Sequence, residues 1–203
     1  TLLLIFIYRV GSYIVLPGID PNKLAALSTS AQSGMLGLLD TFVGGAFSKA
    51  SIFALGIMPY ISASIFMQLM TVLVPRFQKM QKEGDSGRKK INQYTRYLTV
   101  PLAILQAYGV LALLNSQGVL TGSFDLSSFE TLTQIATLTA GAIVLMWIGE
   151  LITERGIGNG ISFIIFAGIV SQAPSAIGAF VAAPNVAMFV AFAAVAIAAV
   201  AVI

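Results

Sequence analysis

Ser51–Val74 is a run of 24 residues without a single charged side chain. As a helix it would be ~36 Å long, enough to cross a hydrocarbon core of about 30 Å with some tilt. The apolar piece before it, Met35–Val43, would make roughly 14 Å of helix and cannot cross. Gly44 and Gly45 interrupt that piece, while Asp40 and Lys49 keep parts of it near water. A short apolar helix that does not cross must lie at the interface or fold back into a cavity lined by protein.

Composition agrees. Of the 203 residues 57% are hydrophobic and 9% charged, with a mean hydropathy of +0.91; soluble domains are about a quarter charged. The chain reads as an all-α, polytopic membrane helix bundle. It has no Cys and no His, which removes the usual zinc ligand sets, thiol chemistry and any Ser–His or Cys–His catalytic pair. No cofactor, metal site or catalytic residue is expected. The sequence opens without Met and stops inside an apolar run, Val186–Ile203, so it is expected to be part of a longer chain. The first apolar run lacks the basic start and A-x-A-like site of a signal peptide, and Arg9 interrupts it.

Six spans are expected. Span one is Thr1–Leu16, ended by the turn pair Pro17-Gly18. Arg9 within it is read as snorkelling or pairing with a polar group inside the bundle, and the sequence names no partner. Residues 19–50 form a connection. Span two is Ser51–Val74, with Pro59 tolerated inside it. Residues 75–96 are the one strongly polar block, with seven Lys/Arg against Glu83 and Asp85 and a Gly-Asp-Ser-Gly turn. Span three is Tyr97–Leu114, with Pro101 in its first turns. A Ser/Gly/Asn-rich loop leads to span four, Thr131–Gly149. The Gly156–Gly160 turn leads to span five, Ile161 to about Val181, and span six starts near Val186. The domain division is 1–185, with spans one to five, and 186–203. None of these runs shows the ten-residue alternation of a membrane barrel.

Lys/Arg placement sets the orientation. If the 75–96 loop and the turn after span four are cytoplasmic, eight basic residues lie inside, against Lys23 and Lys49 outside. The N-terminus is then cytoplasmic and the 35–43 piece lies on the outer side. The glycine turn reads G-x-G-x-G with no strand before it, so it is taken as a helix–helix connection and not a nucleotide site. Ile57 and Ile61, like Ile161 and Ile165, share a helical face. By themselves such pairs read as core or lipid-facing residues.

Three stretches add a resemblance: GGAFSKASIFALGIMPYISASI at 44–65, EGDSGRKKINQYTRY at 83–97 and MWIGELITERGIGNGIS at 146–162. In that order they resemble the SecY family, the central subunits of bacterial protein-conducting channels, from about Tyr8 to Val170. The resemblance implies the first half of an inverted-repeat, ten-span channel in the bacterial inner membrane. Polypeptides with signal sequences would cross it unfolded or leave it sideways into lipid. It implies that Ile57, Ile61, Ile161 and Ile165 belong to a hydrophobic pore ring, a bore too narrow and apolar to wet yet able to yield to a polypeptide. It implies a plug at about 35–48, with Leu36, Leu38, Leu39, Asp40, Phe42, Val43, Gly44 and Gly45; the residues alone leave an interfacial helix open. It implies that Ser62 and Gln106 belong to a lateral gate, where by themselves they read as satisfying a neighbouring helix.

Arg88, Lys89 and Lys90 form at least a solvated face that fixes topology. They also suit anionic lipids or an acidic partner such as ribosomal RNA or a motor ATPase. The implied partners are a small SecE-like clamp subunit, a third SecG-like subunit, and a SecA-like motor or the ribosome. Two rivals remain. A secondary transporter with a broken helix would have to use Arg9, Ser62, Ser64, Gln68 or Gln106. An intramembrane enzyme lacks His and Cys, and only Asp40 stands near a potential cavity.

Overall fold

The computed structural model of the chain describes residues 1–20, 23, 40, 43–120, 124–125, 127–156, 158–174 and 178. Its compact unit is Thr1–Val170. The expected span six and the start of the plug lie outside the described residues. Among the described residues six helices follow in order: α1 Leu2–Gly11, α2 Met58–Leu73, α3 Pro75–Lys82, α4 Asp85–Ser116, α5 Phe129–Arg155 and α6 Gly160–Val170. No strand forms among the described residues beyond two isolated bridges, Val15 with Ser51 and Ile19 with Leu120. α2 packs on α4, α4 on α5 and α5 on α6, while α1 lies against α5 and α6.

Three expectations change. Span one was read to Leu16, but α1 ends at Gly11 and is ~15 Å long. Span two was read as helix from Ser51, but α2 begins at Met58 with Pro59 in its first turn. Residues 52–57 run as turns, with Ala50 and Gly56 at φ 42° and 57°. The stretch is tied to the end of span one, where Leu16 donates to the Ala50 carbonyl and Ile52 to that of Ile14, both at 3.0 Å, while Ala54 and Gly56 donate locally to Ser51 and Phe53. An apolar run need not be helical when a neighbouring loop takes up its amides.

The polar block 75–96 is not a loop either. α2 and α3 meet at a 99° bend, where Pro75 removes a donor and disfavours helix at Val74. A turn at Glu83-Gly84, with Gly84 at φ 76°, then starts α4. This helix is 32 residues long, or ~48 Å, so it extends well past a hydrocarbon core. Gly87 makes the turn possible, because a Cβ there would strike the Met80 carbonyl.

α4 and α5 are long and apolar enough to cross a membrane. One stripe of α4, Thr95, Thr99, Ala103, Ala107, Leu111 and Leu114, is buried. Its small residues let helices approach closely, and the Thr95 and Thr99 hydroxyls donate back to the carbonyls of Ile91 and Thr95 at 3.0 and 2.8 Å. The opposite sides expose large apolar groups such as Leu105, Phe129 and Trp147. Lipid covers such surfaces at no cost, whereas water would not.

Candidate functional site

Ile57 is the N-cap of α2, and its carbonyl accepts from the amides of Tyr60 and Ile61, both at 3.1 Å. Ile57 and Ile61 therefore stand one turn apart on one side of the helix. The start of α6 is fixed from its own sequence. The Asn159 Oδ1 accepts from the amides of Ile161 and Ser162 at 3.0 and 3.3 Å, as a helix N-cap does. The Thr153 hydroxyl donates to the Gly149 carbonyl and accepts from the Gly160 amide, each at 2.9 Å. Gly160 lies so close to the Gly149 carbonyl that a Cβ would collide. The glycine turn is thus a tight α5–α6 connection that aims Ile161 and Ile165 from the first turns of α6.

All four isoleucines fall in one hydrophobic cluster, which also holds Tyr8 and Phe53. Ile57 is buried in it with Leu145, Ile148 and Ile152 of α5 and Ile164 of α6, and Ile61, Ile161 and Ile165 pack against it half-buried. Gly149 lies beneath. A Cβ on it would stand 3.3 Å from Ile161 and 3.5 Å from Ile57.

Of the expected plug residues, Leu36, Leu38, Leu39 and Phe42 lie outside the described residues. Asp40 closes the next segment from the other end: its Oδ1 accepts from the Ser48 amide, and its carbonyl from the Gly45 amide, each at 2.9 Å. Val43–Ala50 is a succession of turns, so the described part of the plug segment beyond Val43 is not α-helical. Gly44 and Gly45 have φ of 69° and 79°, a conformation open to glycine at little steric cost. Val43 is buried in the same cluster as Ile57.

Arg9 has the partner that its sequence withheld. Its guanidinium donates to the Gly44 carbonyl at 3.0 Å and to the Tyr13 hydroxyl at 3.1 Å. Lys49 stands 3.6 Å from the centre of the Tyr13 ring on which Arg9 also lies.

Gln106 lines a cavity of ≈ 420 Å³ between α4 and the 43–58 segment, with Val43, Phe47, Leu55 and Met58. Ser62 is one turn along α2 from Met58, on the same side. Neither side chain has a hydrogen-bond partner among the described residues. Arg88, Lys89 and Lys90 are all exposed, in the first turns of α4. Cations there oppose the helix dipole, and only Asp85 in the first turn offsets it.

Sequence reasoning missed several residues of this region. The Arg96 Nε lies 2.5 Å from the Glu150 Oε1, linking α4 to α5 one residue from Gly149. Tyr8 donates to the Val43 carbonyl at 2.9 Å. Their partners are far away in sequence, so no local pattern marks them. The one available signal was Arg9 itself, a charge in an apolar run.

The family model described as SecY matches residues 51–203. The protein translocase subunit SecY of Pseudomonas aeruginosa is 54% identical over 176 residues, covering 87% of this chain and 39% of that protein. The one of Streptomyces scabiei is 49% identical over 186 residues, covering 87% and 43%. The chain thus spans about two-fifths of the length of these relatives. Among solved structures, one described as a protein conducting channel superposes with a TM-score of 0.57 at 21% identity, over 84% of this chain and 34% of that one. Sec61 in a canine ribosome-channel complex from the endoplasmic reticulum also gives a TM-score of 0.57 at 21% identity, over 84% and 35%. At that identity the likeness is one of fold.

Proposed function

The chain belongs to the SecY family of membrane proteins, and from that premise we propose that it forms the first half of a channel conducting unfolded polypeptides. The observation that carries this reading is the gathering of Ile57, Ile61, Ile161 and Ile165, from the start of α2 and the start of α6, into one hydrophobic cluster. Four branched side chains gathered around one passage make a constriction that water leaves, so ions do not follow. Rotamer changes of aliphatic side chains cost little, so a threading chain can widen it. In this reading the second half of the protein closes the ring.

The other elements take roles around that ring. The segment at about 35–48 acts as the plug, a reading supported by the burial of Val43 and Ala46 in the same cluster. Ser62 and Gln106, polar and without hydrogen-bond partners among the described residues, face the seam through which an apolar segment of ~20 residues would leave for lipid. Arg88, Lys89 and Lys90 project from α4 on the cytoplasmic side. They would meet anionic lipid, a SecA-like motor or the ribosome, while SecE-like and SecG-like subunits complete the complex in a bacterial plasma membrane. The N-terminus is cytoplasmic by the Lys/Arg distribution. The protein itself makes and breaks no covalent bond. The transporter alternative loses its deepest charge as a substrate ligand, because Arg9 is engaged with the Gly44 carbonyl.

Photo-crosslinking tests the proposal. A photoreactive residue at Ile57 or at Ile161 of the full-length protein should capture a stalled translocating chain, and one at lipid-exposed Leu105 should not. Adducts to lipid alone from both isoleucines overturn it.

A further inference from the structure

The 99° bend after α2 and the turn at Gly84 fold α3 and the start of α4 back beside the last turns of α2. A cleft of ≈ 220 Å³ lies between the three helices. Ser64 and Gln68 line it from α2, Gln81 from α3, and Arg88 and Asn92 from α4. None of these five polar side chains has a hydrogen-bond partner among the described residues. Two further hydroxyls in the wall differ. That of Thr71 donates to the Gln68 carbonyl at 2.6 Å and that of Thr95 to the Ile91 carbonyl at 3.0 Å, so both donors are used within their own helices.

Placement gives the cleft its meaning. Ile61, Ser64 and Gln68 are spaced three and four apart and form one stripe of α2. The cleft therefore continues the side of the helix that carries the constriction. Gln68 stands ~10 Å along the axis from Ile61, towards the polar 75–96 block. In the channel reading that is the cytoplasmic side, from which an unfolded chain arrives.

Chemistry selects the occupant. A side-chain amide offers both donors and an acceptor, the complement of the N–H and C=O that every non-proline residue of a chain carries. Gln68, Gln81 and Asn92 supply three such amides against the single charge of Arg88, which suits peptide groups better than an anion. A helical signal sequence has already used its peptide groups internally, whereas an extended chain has them free. We infer that this cleft is a binding site for the extended backbone of the arriving polypeptide, which it holds by peptide-group hydrogen bonds in line with the isoleucine constriction. The inference rests on the channel reading above and adds to it a contact that does not depend on the sequence transported.

Two measurements on the full-length protein test it. Gln68→Leu and Asn92→Leu should each raise the polypeptide concentration for half-maximal transport about fivefold, the ratio expected of one lost hydrogen bond, with a smaller change in maximal rate. Gln68→Asn keeps an amide and should retain most of the affinity. The factor should be the same for acidic, basic and uncharged substrates. An unchanged half-maximal concentration in both leucine variants overturns the site. A loss confined to acidic substrates makes it a charge site at Arg88 and overturns the backbone reading.

The second measurement leaves the amides intact, so it stands even if a leucine variant fails to assemble. A photoreactive residue at Ser64 should capture a secretory polypeptide stalled by a folded C-terminal domain. One at Leu69, exposed on another side of α2, should not. N-methylation of the segment captured at Ser64 removes its N–H donors and should lower that capture about threefold or more, while capture at Ile57 stays the same. Capture at Ser64 that ignores N-methylation, or equal capture at Leu69, overturns the backbone site. Absence of capture at both Ile57 and Ile161 overturns the channel reading instead, so the two failures are distinct.

Discussion

The Cδ1 of Ile57 and the Cγ1 of Ile161 close over the same bare face of Gly149, 3.5 and 3.3 Å from where a Cβ would stand. Two residues about a hundred positions apart in the sequence thus share a floor that contains no side chain. An added methyl is tolerated if Ile161, at 3.3 Å, retreats by a few tenths of an ångström, while Ile57, at 3.5 Å, would meet it at ordinary contact. Gly149→Ala should therefore be folded and mildly altered, and Gly149→Val should be overpacked by about 1–3 kcal/mol. Thermal unfolding in detergent should rank wild type, Ala and Val in that order, with resting conductance rising along the same series. Equal stability of all three would place open space where the two side chains now meet.

The Arg96–Glu150 pair is asymmetric: the Arg96 side chain is 44% exposed and that of Glu150 only 15%. An exposed ion pair contributes about 1 kcal/mol or less, but a carboxylate left alone in a partly buried place costs more than a guanidinium left in water. Arg96→Gln should accordingly destabilise more than Glu150→Gln, and the double neutralisation should cost less than Arg96→Gln alone. A double-mutant cycle on unfolding midpoints measures this order. The reverse ranking would mean that the carboxylate is solvated independently of its partner.

The long helices were legible because they depend on local pattern. α5 and the apolar part of α4 follow directly from uncharged runs bounded by polar residues. The four isoleucines were singled out through motif resemblance, since their periodicity alone fits any core, and the structure gathers them in one cluster. What sequence did not reveal has long-range causes. Residues 52–57 are as apolar as α2, yet their backbone is fixed by Ile14 and by the turns that Gly56 permits. Asp85-Ser86-Gly87 looks like a turn, yet it is helix, because Gly87 lets α4 leave against the Met80 carbonyl of α3. Arg9 was visible as an anomaly, but the carbonyl that explains it lies 35 residues away.

The basic triplet should separate two effects. Arg88, Lys89 and Lys90 sit where the α4 dipole is positive, so neutralising them should slightly strengthen the helix end. The same change should weaken attachment to anionic surfaces, by about 1 kcal/mol per residue near the membrane. Arg88→Gln/Lys89→Gln/Lys90→Gln should thus leave unfolding unchanged or improved while lowering motor or ribosome binding, steeply so at low salt. Co-sedimentation across a salt series, with topology verified, measures it. Wild-type binding and transport would reduce the triplet to a topology signal.

Removal of residues 36–48 takes away the segment proposed as the plug, together with the Asp40–Ser48 hydrogen bond and the Val43 and Gly44 carbonyls that Tyr8 and Arg9 reach. Ile161 and Ile165 keep the supports that Asn159 and Thr153 give the start of α6, and Ile57 keeps its packing against α5. The deletion should therefore raise ion leak while polypeptide transport largely continues. Single-channel conductance beside a transport assay distinguishes the two. A deletion that leaves conductance at the resting level would mean that the aliphatic constriction seals alone.

Ser62 and Gln106 offer the most selective test, because neither has a hydrogen-bond partner among the described residues and Gln106 lines an apolar cavity beside Val43 and Met58. A polar group facing such a seam favours whatever polar surface closes against it and disfavours an apolar helix entering it. Each interhelical hydrogen bond of this kind contributes about 0.6 kcal/mol, so one substitution should change the balance by less than tenfold. Ser62→Leu and Gln106→Leu should make the seam easier to part and let weakly apolar signal sequences through, with the double variant more permissive than either. Transport of a graded series of signal sequences, normalised to a strong one, measures the shift. If the series is transported in unchanged proportion by all three variants, these two positions lie away from the path by which apolar segments leave.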